Sequence, residues 1–162
     1  MRQRVSRTIP AFVLAALCVV STRGEAAGSA KFHVVLRGGP FAGTYDLVAD
    51  ACMAGLQKQG SWHATWEAET AEKNKVSAVL LGIDPKPTFG NGLTMSVSFG
   101  EPDNQLMYEV LKPVTNVVDR GSTATLTFAG EARTTSYENG MQGKGGPVEI
   151  TVECGKIIRG NL

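Results

Sequence analysis

The side chains able to do chemistry are few and widely spaced. His63, Glu67 and Glu69 lie on one alternating run, His33 is the second histidine, Glu149 and Glu153 flank the last apolar run, and Lys144 sits in the glycine-rich stretch 139–146. Zinc donors must lie within about 2.0 to 2.2 Å of the ion. Residues four apart on an extended strand are separated by about 13 Å, so His63 and Glu67 cannot share a metal without a sharp bend. They read instead as a solvated strand face. The same separation of about 13 Å takes Glu149 and Glu153 outside the geometry of a glycosidase pair, whose carboxyl groups stand about 5 to 9.5 Å apart across a cleft. Glu67 and Glu69, about 7 Å apart, fall within that range, but they project side by side from one surface rather than facing each other. His33, among Phe32, Val34 and Val35, reads as a structural histidine with its hydrogen bonds satisfied. Lys144 is followed by Gly145, not by the Ser or Thr of a phosphate-binding loop, so the stretch reads as a hairpin loop. HExxH, CxxC and GxSxG are absent. No catalytic, metal-binding or cofactor-binding residue is nominated, and the expectation is a protein that is not an enzyme.

The cysteines carry more information once the N-terminus is considered. Arg2, Arg4 and Arg7 precede an apolar run from Ile9 to Val20, followed by Gly24, Ala26 and Ala27. This predicts a secretory signal peptide over residues 1–26, removed to leave one all-β domain over 27–162. The run is shorter than the roughly 20 residues needed to cross a bilayer, so no transmembrane segment is expected after cleavage. Cys18 lies inside the apolar run with Leu17 before it, where lipid attachment wants a small residue. Cleavage removes four arginines and one glutamate and leaves twelve basic against fourteen acidic residues. Without a basic excess the mature chain lacks the footprint of a nucleic-acid binder. In a secreted or periplasmic setting, Cys52 and Cys154 are expected to form a disulfide.

The elements that would position these groups are short and alternating. Phe32, Val34 and Leu36 alternate up to Gly38-Gly39-Pro40, and Tyr45, Leu47 and Ala49 follow. Trp62, Ala64 and Trp66 take one side of the next run, opposite His63, Thr65 and Glu67. Val76–Ile83 is apolar almost throughout, which predicts a strand covered on both faces. Leu93–Phe99 and Leu106–Leu111 follow, then Ala124–Phe128, a turn at Ala129-Gly130, and a strand over Glu131–Tyr137. Asn139-Gly140 and the later glycines lead into the last strand, Gly146–Cys154, as an antiparallel hairpin. Asp50–Lys58 permits a helical turn, while Gly55 and Gly60 argue against a long helix.

Together these predict an antiparallel β-sandwich of eight or nine strands, with a closed barrel as the alternative. The order Cys52, Trp62, Trp66, Cys154 resembles that of immunoglobulin domains, but the cysteines are much farther apart and Val152 stands where that family carries tyrosine. The functional expectation is an exported binding module for a protein, a glycan or another envelope component. One alternative is a carrier of a small apolar ligand faced by Trp62, Trp66 and Tyr108, residues that would equally fill a core. The second is an enzyme whose residues converge only in three dimensions.

Overall fold

Period-two alternation of apolar and polar residues commits this chain to strands with one buried face. The structure, a computed structural model, describes residues 29–56, 59–70, 72, 74–87 and 90–160. The predicted signal peptide lies outside these residues. Among the described residues, eleven strands form one sheet: β1 (Ala30–Leu36), β2 (Gly43–Ala49), β3 (Cys52–Ala54), β4 (Trp62–Glu67), β5 (Val76–Ile83), β6 (Leu93–Phe99), β7 (Leu106–Val110), β8 (Val114–Asp119), β9 (Ala124–Ser136), β10 (Gln142–Cys154) and β11 (Ile157–Arg159). Their order is β11-β3-β4-β5-β6-β7-β9-β10-β1-β2, with β8 also paired to β9. The sheet curls so that its two halves face each other across one core, with β2 and β11 at its two ends.

The expected all-β fold and its disulfide are present, but the sheet is mixed and has more strands than expected. Every ladder is antiparallel except β11 against β3. The exception follows from the cross-link. Cys154 is bonded to Cys52, so the chain leaving Cys154 emerges beside β3, and Lys156 accepts a hydrogen bond from the Cys52 amide. At three residues each, β3 and β11 are too short to show a period in sequence.

Two further expectations are corrected, one at Ala129-Gly130 and one at the 143–146 glycines. This pair makes no turn; β9 runs unbroken for 13 residues, paired with β10 along its length. On its other side it pairs first with β8 and then with β7. The crossover from β7 to β8 passes over Gly130, where a Cβ would lie 2.5 Å from Val110 Cγ1 and 3.6 Å from Pro113 Cα. Glycine is there for a close approach within a strand, not for a turn. The 143–146 glycines are likewise strand, not loop. A Cβ on Gly145 would meet the Ala132 Cβ at 2.9 Å and the Tyr108 ring at 3.0 Å. The Asn139-Gly140 hairpin itself forms as expected: Gly140 donates to the Ser136 carbonyl and the Asn139 side chain accepts from the Met141 amide.

The inward rows close into one cluster that includes Phe32, Val34, Met95, Val97, Leu126, Phe128 and Ile150, each at most 1 % exposed. Strand β5 is not covered on both faces: Val79 and Leu81 are buried, but Leu80 is 39 % exposed. Its outward side reaches solvent despite its apolar sequence.

Candidate interaction surfaces

One organised surface is the outward face of β8, β9, β10, β1 and β2. The ladders align it in cross-strand rows. One row is Val118-Thr125-Glu153-Lys31-Val48, the next Asn116-Thr127-Thr151-His33-Asp46, and the third Val114-Ala129-Glu149-Val35-Thr44. Five strands about 4.8 Å apart and rows about 6.8 Å apart give a patch of roughly 19 by 14 Å between the outermost backbone positions. Two hydrogen-bonded pairs lie on it. His33 Nδ1 and Asp46 Oδ1 are 2.7 Å apart, and the Arg37 guanidinium donates to both carboxylate oxygens of Glu149 at 3.2 Å. Thr125, Thr127 and Thr151 form a half-buried uncharged centre. Exposed valines mark the margins: Val114 at 75 %, Val48 at 61 % and Val118 at 40 %.

His33 therefore differs from its sequence reading. It has a partner, but alternation turns it away from Phe32 and Val34 onto this open face, and its partner is a carboxylate on the neighbouring strand.

On the opposite side, β4, β5 and β6 present the row His63-Gly82-Thr94. The missing side chain at Gly82 lets the His63 ring settle onto the strand, where a Cβ would stand 3.3 Å from Nδ1. His63 Nε2 is buried without a hydrogen-bond partner. Glu67 and Glu69 are exposed. Among the described residues, no three His, Cys, Asp or Glu side chains gather as metal ligands.

The three aromatics singled out in the sequence lie in three different environments. Tyr108 is 1 % exposed; its hydroxyl accepts a hydrogen bond from the Phe41 amide at 2.9 Å, and its ring packs edge-on against Phe99. Phe99 in turn stacks on Phe41 and meets the edge of Tyr45. Burial pushes the Tyr108 and Tyr45 phenols above their ordinary pKa. Trp62 lies under the Arg159 guanidinium, 5.7 Å from the ring centroid. Arg159 donates to both Asp119 carboxylate oxygens, at 2.7 and 3.0 Å, and to the Gly121 carbonyl. This clamp ties β11 to the β8–β9 turn, and the guanidinium holds the Asp119 carboxyl below the usual carboxylate range. Trp66, half-buried, opens onto a groove of about 500 Å³ beside Val48, Met53 and Ile158.

Sequence reading missed the contribution of β8 to the outward face and the Arg159–Asp119 clamp. Residues 114–119 read Val-Thr-Asn-Val-Val-Asp, which does not alternate, so β8 left no clear local signal; the clamp joins residues forty positions apart, with no local mark either. Comparison with protein-family models, with characterised proteins and with solved structures finds no match.

Proposed function

We propose that this is an exported, non-enzymatic interaction module that binds a protein, a glycan or another component of the cell envelope or extracellular space through the outward face of β8-β9-β10-β1-β2. The observation that carries the reading is the cross-strand row Asn116-Thr127-Thr151-His33-Asp46. It is a polar stripe whose one carboxylate, Asp46, is hydrogen-bonded to His33, with exposed valines in the rows on either side. Such a surface is cheap to desolvate at its centre and offers apolar area at its margin, the composition of a modest, reversible interface. With roughly 19 by 14 Å between backbone positions, it falls below the about 800 Å² per partner of a standard stable complex. A transient complex, or one extended by adjoining loops, is the expectation. The carrier alternative is less well supported, because Tyr108, Phe99, Tyr45 and Phe41 pack on one another.

The test is a photo-crosslinking residue placed at Thr127 or Thr151, with Thr94 on the opposite face as control, in protein expressed in its own host. One adduct of defined mass from positions 127 and 151, absent from 94, is expected. Equal labelling from all three positions, or no adduct, would count against this face.

A further inference from the structure

We infer that the groove beside Trp66 is a docking site for an extended, basic and apolar segment of a partner protein. The groove lies where the curled sheet leaves two strand edges without ladder partners among the described residues. Strand β2 pairs only with β1. Residues 64–67 of β4 pair with β5, but β3 reaches only as far as His63 on the other side. The two edges come close to each other without hydrogen bonding. An unpaired edge offers backbone donors and acceptors to an incoming strand, and pockets beside it then select alternate side chains.

The chemistry of the walls selects the occupant. Val48 is 61 % and Ile158 46 % exposed, and with Trp66 and Met53 they give the groove an apolar floor. Among the described residues, every charged one lining it is acidic: Asp50, Glu67 and Glu69. All three are exposed, and none has a hydrogen bond or ion pair among the described residues. This differs from the broad outward face, where Asp46 has His33 and Glu149 has Arg37 as hydrogen-bonding partners. Unpaired carboxylates around an aromatic floor complement a segment in which Lys or Arg alternates with an aliphatic residue, the cations at the rim and over the indole. The groove adjoins the outward face at Val48, but its other lining residues lie outside that face, so Asp50, Glu67 and Glu69 can be tested independently of it.

The probe is an end-capped octapeptide of alternating arginine and valine, titrated into ¹⁵N-labelled protein with its disulfide intact, at about 0.15 M salt where exposed charges act over roughly 8 Å. Amide shifts confined to residues 48–53, 64–69 and 158, with binding weakened at least tenfold by the combined D50N/E67Q/E69Q substitution, are expected. Because those side chains are exposed, the substitution leaves the fold intact, which the unshifted remainder of the spectrum verifies. Trp66→Ala should weaken binding similarly. The glutamate–valine octapeptide should not bind. Shifts centred elsewhere, no shifts, or equal binding by the neutralised variant would overturn the inference. So would equal shifts with spermidine, which would show a simple cation site, or loss of the groove resonances by self-association on dilution analysis, which would show a second copy as the occupant.

Discussion

Removing the disulfide should cost more stability than any other change confined to two side chains. Cys52 and Cys154 are 102 positions apart and almost fully buried, at 0 % and 1 % exposed. In the chain-entropy model, closing a loop of about one hundred residues removes conformational freedom from the denatured chain worth about 4.7 kcal/mol at 25 °C, and native bridges removed from small domains typically cost about 2 to 5 kcal/mol. Set against a total stability of about 5 to 15 kcal/mol, this is a large share. The perturbation of choice is C52A/C154A, which leaves neither a free thiol nor a buried hydroxyl. Urea unfolding followed by tryptophan emission should show a lower midpoint and a steeper dependence on urea, since the unlinked denatured chain exposes more surface. Reduction of the unmodified protein should give the same curve. A loss below about 0.5 kcal/mol, the range of an ordinary surface substitution, would refute the view that the bridge holds β3 and β11 against β10.

Gly130→Val should destabilise by about 1 to 3 kcal/mol, the usual cost of overpacking, because its Cβ would collide with Val110; in chemical denaturation V110A/G130A should lose less than the sum of its single variants. Tyr108→Phe removes the acceptor for the Phe41 amide and should cost about 1 to 3 kcal/mol by the same assay. The raised Tyr108 and Tyr45 pKa values mean that the neutral phenols favour the fold: their contribution is complete below the ordinary tyrosine value of about 10 and is lost as pH rises through the folded values, so a pH series of melting temperatures should fall above pH 10, less steeply in the Phe variant. Asp119 behaves in the opposite sense, its lowered value giving stability above the ordinary carboxylate pKa of about 3.9 that is lost as pH falls through the folded value. Because that carboxylate is 39 % exposed, D119N should lower the melting temperature at pH 7 by no more than a few degrees, and the difference from the unmodified protein should shrink as pH falls below the ordinary carboxylate range.

How much of this was legible depended on whether one residue or two carried the signal. Alternation in Phe32-Val34-Leu36 or Leu126-Phe128 determines a face by itself, and the buried rows follow it. Glycines were misread because two physical roles share one letter: Gly130 and Gly145 are small so that Val110 and Tyr108 can approach, not so that the chain can turn. Val76–Ile83 looked doubly covered because its outward residue Leu80 is apolar, and whether an apolar residue is covered depends on its neighbours. The surfaces were the least legible. The threonines of β9 and Thr151 of β10 read as outward from sequence, but their alignment with His33, Asp46 and Asn116 exists only in the strand order. The acidic groove likewise joins residues of β2, β3, β4 and β11 that no local pattern connects.

The most direct test of an interaction module is a native mass spectrum of the protein recovered from its own host, compared with that of the T127R/T151R variant. The expected result is a chain free of small molecules, with a fraction in a defined complex with another macromolecule that the variant no longer forms. A small apolar molecule retained in stoichiometric amount by both proteins would contradict it and make the protein a carrier.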